Sequence, residues 1–127
     1  MTKANELRER AQAHFEADQL MFGDYWNPEK GKGCSIGCHA HDLGFDPYDH
    51  AGVASYYGYP TWLGYMHDKM YELSEDETTH VTLANATATA MENKVNWDQV
   101  QSRMMARILE SSDDIITIMI EELTRKG

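Results

Sequence analysis

Cysteine and histidine residues cluster in one short segment of the chain. The segment GKGCSIGCHAHD contains Cys34, Cys38, His39 and His41, and His50 follows nine residues later. Thiolate and imidazole groups at such short spacing are typical ligands of zinc or iron, and the glycines allow the backbone to bend around an ion. The pattern therefore predicts a Zn or Fe site formed by these five residues. The alternative is a structural loop in which the two cysteines are buried and only pack.

The same cysteines could instead be nucleophiles. A cysteine on a glycine-rich turn, near a helix N-terminus or an imidazole, can have a lowered pKa. His14 and Asp18 are four residues apart on the predicted first helix, so the carboxylate could orient the imidazole. Cys34 or Cys38 would then form a Cys-His-Asp arrangement with them, as in a small hydrolase or transferase. The simpler interpretation of His14 and Asp18 is an exposed pair on one helix face.

Two further patterns are weaker. Backbone N–H groups around Gly31-Lys32-Gly33 could bind a phosphate or another anion, although the chain has no Walker motif. Glu77-x-x-His80 matches half of the motif found in carboxylate-bridged di-iron bundles, but the second copy is missing. A capping role at a helix N-terminus is therefore preferred for Glu77.

Length and charge limit the classes of protein to which the chain could belong. Its 127 residues fit a single helical domain over 1–127. With 11 basic and 21 acidic side chains, the formal charge is −10, which argues against a nucleic-acid partner because phosphate binding needs a basic patch. No apolar run approaches the roughly 18 residues of a membrane span, and the N-terminus MTKANELRER lacks the apolar region of a signal peptide. We therefore expect a cytoplasmic protein without a membrane partner.

The elements that must position these residues are predicted to be helical. The fold class predicted is all-α, with about six helices packed as one small bundle and a long Gly/Cys/His-rich loop between the first and third helices. The run Ile115–Ile120 does not alternate, so it is assigned to a helix as well. The predicted helices are one over 4–22, a short one opened by Asp46-Pro47 and ending near Gly58, a third from Pro60, a fourth capped by Ser74-x-x-Glu77, a fifth capped by Asn96 and a sixth opened by Asp113 and Asp114.

The order of these motifs resembles a family of small uncharacterised bacterial and phage proteins with a GKGCxxGC motif. The resemblance covers about residues 10–75 and rests on His14-x-x-x-Asp18, Tyr25-Trp26, GKGCSIGC, Asp49-His50, Gly58-Tyr59-Pro60 and the segment from Leu63 to Asp68. The family usually has Thr where this chain has His39. The resemblance implies a shared site but no reaction. The positions it implies are His14, Asp18, Trp26, Cys34, Cys38, His50 and Asp68.

Three functions remain open at this stage. The first, which we favour, is a small-ligand- or metal-binding helical protein whose site lies at the Gly/Cys/His loop, with Trp26, Lys32, His50 and Asp68 as ligand-binding candidates. The second is the cysteine-dependent hydrolase or transferase. The third is an interaction module that binds a partner or its own copy as a homo-oligomer, which eight methionines and seven tyrosines would suit. The sequence alone does not assign the chain to an enzyme class.

Overall fold

A computed structural model describes residues 1–126, and over that range most residues lie in helices. The prediction of an all-α fold is confirmed, with seven helices and one two-stranded antiparallel sheet in the described part of the chain. No helix within it is both long enough and apolar enough to cross a membrane. The elements are α1 Lys3–Glu16, β1 Trp26–Asn27, β2 Lys32–Gly33, α2 Ser35–Leu43, α3 His50–Tyr57, α4 Thr61–Ser74, α5 Thr78–Glu92, α6 Trp97–Glu110 and α7 Ile115–Thr124.

The pairing of α1 with α5 is the most extensive contact between helices, and it forms the middle of the bundle. Leu7 and Ala11 of α1 are buried, and so are Ala84 and Ala88 of α5. Small side chains on both helices let the two backbones approach closely. On its other side α5 packs against α7, while α2 packs against α3 and α4.

The prediction that the first helix runs to residue 22 is wrong. Helix α1 ends at Glu16, and Asp18 adopts a left-handed conformation with φ 56°. The chain turns there because residues 19–21 run alongside β2: Gly33 N–H donates to Gln19 O, and Met21 N–H donates to Gly33 O. A continued helix would forfeit both bonds.

The segment expected to be a long loop contains a helix, α2, which sequence reasoning missed. Glycines allow it to form where it does. A Cβ at Gly37 would lie 1.6 Å from Tyr25 O, and one at Gly33 would lie 2.2 Å from the same atom. The backbone of Tyr25 therefore lies directly on α2 and β2, which explains two glycines of the GKGCSIGC motif. Gly31 is needed for a different reason, its positive φ of 64°.

Some of the other predicted helix boundaries are confirmed and one is wrong. Asn96 caps α6 by accepting from Gln99 N–H, and Asp114 caps α7 by accepting from Thr117 N–H, as predicted. The short helix ends at Gly58 as expected, but α3 begins at His50 rather than at Asp46-Pro47.

The capping box predicted at Ser74-x-x-Glu77 is wrong. Ser74 is the last residue of α4, and its hydroxyl donates to Tyr71 O. Glu77 precedes α5 without a side-chain cap. Thr78 N–H instead donates to the carboxylate of Asp76. A tight turn between two consecutive helices therefore replaces the expected capping pair.

Candidate functional site

Three buried histidines from three different helices meet inside the bundle. They are His14 near the end of α1, His39 in the middle of α2 and His80 in the first turn of α5, and they are 2%, 4% and 2% exposed. One ring nitrogen of each lies within 4.8 Å of the others. We call His14, His39 and His80 the histidine cluster.

Two imidazoles of the histidine cluster face each other directly. His14 Nδ1 lies 3.0 Å from His80 Nε2. The ring of His39 is perpendicular to that of His14, with the centroids 4.8 Å apart. The three rings therefore enclose one small volume rather than stacking.

Every ring of the histidine cluster is also held at a second nitrogen by a neighbouring polar group. Metal-binding histidines in proteins are oriented in this way by outer partners, which fix the tautomer and leave the inner nitrogen free to coordinate. The contacts are His14 Nε2 to Asp42 Oδ2 at 2.5 Å, His80 Nδ1 to Ser35 Oγ at 2.7 Å and His39 Nδ1 to Tyr57 Oη at 2.9 Å.

Burial keeps two of these imidazoles neutral. Loss of solvent lowers the pKa of His39 and of His80 well below the ordinary value, and the nearby histidines lower it further. Burial alone would raise the pKa of Asp42, but its bonds to His14 and Arg10 lower it overall. His39 and His80 are therefore neutral nitrogen donors, the form that binds a metal, and the carboxylate of Asp42 nearby is ionised at neutral pH.

A second group of ligand-type residues lies near the N-terminus of α2, apart from the histidine cluster. One ligand atom each of Cys34, Asp68 and Glu72 lies within 4.8 Å of the others. Asp68 Oδ2 accepts from His50 Nε2 at 2.9 Å and from Tyr25 Oη at 3.4 Å. His50 and Asp68, two of the predicted site residues, are thus in direct contact.

The two cysteines do not have the surroundings of nucleophiles. Both are 1% exposed, and burial raises the pKa of each thiol to about 12. Cys38 Sγ donates to Gln19 O and Gly33 O at 3.3 and 3.4 Å. Within residues 1–126 neither thiol hydrogen-bonds to an imidazole, so the expected Cys-His pairing is not present.

The predicted Cys-His-Asp arrangement is also not present among the described residues, because Asp18 does not hydrogen-bond to His14. Asp18 lies beyond the end of α1 with a side chain 79% exposed, and it accepts from Lys32 Nζ at 3.1 Å. His14 is oriented by Asp42 instead. The anion site expected around Lys32 has no free glycine amides, because Gly31 N–H and Gly33 N–H both donate to backbone carbonyls.

The five predicted metal ligands are separated into different environments. Cys34 joins Asp68 and Glu72, and His39 joins the histidine cluster. His41 stacks on Trp26 with ring centroids 3.8 Å apart. The separation follows from α2: residues that would share one side of an extended loop point in different directions on a helix.

Sequence reasoning missed Asp42 and Ser35, and it named His80 only in a half-motif for di-iron that it set aside. A usable signal existed for His80, which lies four and eight residues before the buried Ala84 and Ala88 and therefore on the same helix face. His14 lies seven and three residues after the buried Leu7 and Ala11, so it too shares a helix face with buried residues. Two histidines on the apolar faces of two helices could have been paired, but only if the packing of α1 against α5 had been known.

A scan against protein-family models and searches of curated proteins and of solved structures found no match to this chain. Membership of the GKGCxxGC family stays a prediction.

Proposed function

We propose that the protein binds a transition metal ion, zinc in preference to ferrous iron, at His14, His39 and His80. One observation carries the proposal: three buried imidazoles converge within 4.8 Å while another nitrogen of each is held by Asp42, Ser35 or Tyr57. Three imidazoles are a donor set that suits zinc and are also used by iron.

The tautomers support a cation between the rings. A carboxylate only accepts, so the His14 tautomer that donates from Nε2 to Asp42 carries a lone pair on Nδ1. Ser35 Oγ can accept a hydrogen bond from His80 Nδ1–H, in which case His80 Nε2 also presents a lone pair toward His14. In this tautomer two lone pairs converge 3.0 Å apart, where one cation can bind both. The other tautomer of His80 donates from Nε2 to His14 and suits the metal-free protein.

The spacing also suits a shared ion. Zinc–nitrogen bonds of about 2.0–2.1 Å at a tetrahedral angle place two ligand nitrogens about 3.3 Å apart. The separation of His14 Nδ1 and His80 Nε2, 3.0 Å, requires only a small adjustment. The histidine cluster supplies three ligands, so a water molecule or an anion would complete a tetrahedral site.

Binding there would link three helices that are far apart in sequence. A metal that binds the folded chain and not the unfolded one stabilises the fold. Without metal, the same side chains form a hydrogen-bonded chain from Asp42 through His14 and His80 to Ser35. The metal-free protein therefore keeps its buried polar groups bonded and remains folded enough to test.

The test is calorimetric titration of chelator-stripped protein with Zn²⁺, comparing His39→Gln with His41→Gln. Both residues lie on α2, but His41 stacks on Trp26 outside the cluster. We expect His39→Gln to lose one equivalent of zinc and His41→Gln to keep it. Unchanged stoichiometry in folded His39→Gln, checked by circular dichroism, would overturn the proposal, and His80→Gln provides a second variant.

A further inference from the structure

A cavity of about 300 Å³ opens beside the N-terminus of α2. It lies away from the histidine cluster, on the side where α4 faces the segment that leads into β1. Its lining is Gly23, Asp24, Tyr25, Cys34, Asp68 and Glu72. Three of these residues carry carboxylates and none is basic, so the cavity favours a cationic occupant.

One buried thiol lines this cavity without an acceptor for its proton. Cys34 is 1% exposed, and within the described residues Cys34 Sγ donates no hydrogen bond, whereas Cys38 Sγ, one helical turn later, donates to two carbonyls. The two thiols are equally buried, so burial does not explain the difference. Cys34 is the one that faces ligand-type oxygens, those of Asp68 and Glu72.

We propose a second metal site, in which Cys34 Sγ and carboxylate oxygens of Asp68 and Glu72 bind a divalent cation of the zinc, cobalt or ferrous-iron class. The three ligand atoms already lie within 4.8 Å of one another. A sulfur ligand excludes magnesium and calcium as preferred occupants, since those ions take oxygen ligands. The donor set is mixed sulfur and oxygen, unlike the nitrogen donors of the histidine cluster.

The carboxylates of this site are oriented by neighbours, as the ligands of a metal usually are. Asp68 Oδ2 accepts from His50 and Tyr25, so Asp68 Oδ1 is the oxygen free to coordinate. Glu72 accepts from Gly23 N–H through both carboxylate oxygens, Oε1 at 3.3 Å and Oε2 at 3.0 Å. Each carboxylate is thus fixed by a group that would remain in place when an ion binds.

The position of Cys34 favours a thiolate once a cation is present. Cys34 is the N-cap of α2, where the helix dipole and the first backbone N–H groups stabilise negative charge. Without a cation, burial and the charges of Asp68 and Glu72 hold the thiol protonated. Binding therefore forms a sulfur–metal bond and releases the thiol proton to solvent.

The cavity also leaves room at this site for ligands that do not come from the protein. Its volume of about 300 Å³ exceeds that of a single ion, so water or a small anion can occupy the remaining coordination positions. Zinc sites that keep a position for an exchangeable ligand are those that do chemistry. The histidine cluster differs in being buried, since its three side chains are 2–4% exposed.

The test is spectroscopic titration of chelator-stripped protein with Co²⁺, which reports sulfur ligands separately from nitrogen ligands. A cobalt–thiolate bond gives an intense near-ultraviolet charge-transfer band, and a site of imidazoles alone does not. We expect this band in the wild type and in Cys38→Ser, and its complete loss in Cys34→Ser. Cys38→Ser is the matched control because it removes an equally buried thiol from the same helix.

Two isosteric variants keep the result decisive if Cys34→Ser does not fold. Asp68→Asn and Glu72→Gln each remove one anionic ligand, and we expect each to weaken Co²⁺ binding at least about tenfold, judged by the near-ultraviolet band. Absence of the band in wild type, or a band that survives Cys34→Ser, would overturn this site.

The two metal proposals fail separately. His39→Gln should remove one equivalent of cobalt without weakening the near-ultraviolet band. If that variant instead keeps all its cobalt while the band behaves as expected, the histidine cluster is refuted and the site at Cys34 stands. If the band is missing while His39→Gln still loses one equivalent of cobalt, the site at Cys34 is refuted and the histidine cluster stands.

Discussion

Replacing Gly37 by alanine should damage the fold at the point where α2 is anchored. The added Cβ would lie 1.6 Å from Tyr25 O and 2.6 Å from Tyr25 C, so the Tyr25 backbone must retreat until the contact exceeds 3.0 Å. That movement disturbs the bonds from Cys34 N–H to Asp24 O and Tyr25 O, now 3.0 and 3.3 Å long. Because the obstacle is backbone, side-chain rotation cannot relieve it.

The magnitude follows from these contacts. Overpacking typically costs about 1–3 kcal/mol, and weakening a backbone hydrogen bond adds about 1 kcal/mol. Alanine recovers about 1 kcal/mol of helix propensity over glycine. We therefore expect Gly37→Ala to lower the free energy of unfolding by about 2 kcal/mol, or the Tm by about 8 °C for a domain of this size.

Gly64→Ala is the matched control, because Gly64 also lies inside a helix. A Cβ there would meet its nearest atoms, in His50 and Tyr59, at 3.7 Å, which is ordinary contact. We expect this variant to be as stable as wild type or up to about 1 kcal/mol more stable. Thermal and urea unfolding followed by circular dichroism measures both. Equal stability of Gly37→Ala and Gly64→Ala would refute the close contact between Tyr25 and α2.

Three further predictions concern stability and reactivity. Free Zn²⁺ at about 100 times the Kd of the histidine cluster should raise the free energy of unfolding by about 2.7 kcal/mol more in the wild type than in His39→Gln, a difference in Tm of about 10 °C. Differential scanning calorimetry checks this, and an equal rise in His39→Gln would contradict it. Iodoacetamide should alkylate Cys34 and Cys38 in the folded metal-free protein far more slowly than in urea, because the pKa of each thiol is raised to about 12 and so little thiolate exists at neutral pH. Mass spectrometry measures the two rates, and equal rates would refute the burial of these thiols. Asn96→Ala should lower the free energy of unfolding by about 1 kcal/mol through loss of the bond from Gln99 N–H, whereas Asn96→Ser, which keeps an acceptor, should lose less in urea unfolding. If the two Asn96 variants are equally stable, the cap contributes nothing.

The sequence predicted the ends of those helices that are capped by residues nearby in the sequence. Asn96 and Asp114 cap α6 and α7 through bonds to amides three residues away. Helix α2 was missed because Gly37 disfavours a helix intrinsically, and its formation depends on contact with Tyr25, which lies outside the helix. The end of α1 was missed for a similar reason, since the pairing of residues 19–21 with Gly33 terminates it.

For the candidate sites, too, the sequence indicated individual residues but not the contacts between distant parts of the chain. His14 and His39 were both named from the sequence, but they were assigned to different arrangements. Their meeting with His80 depends on the packing of α1 and α2 against α5, which joins residues 66 positions apart. Cys34 and Asp68 were both named as well, and only the positions of α2 and α4 bring them to one cavity with Glu72.

The most direct test of the central claim is a crystal structure of the zinc-loaded protein with anomalous diffraction measured on both sides of the zinc edge. We expect an anomalous peak between His14, His39 and His80, with zinc–nitrogen distances of about 2.0–2.1 Å. We also expect Asp42 and Ser35 to keep their bonds to the outer nitrogens. Full zinc loading without a peak there, with His14 and His80 still hydrogen-bonded to each other, would contradict this claim.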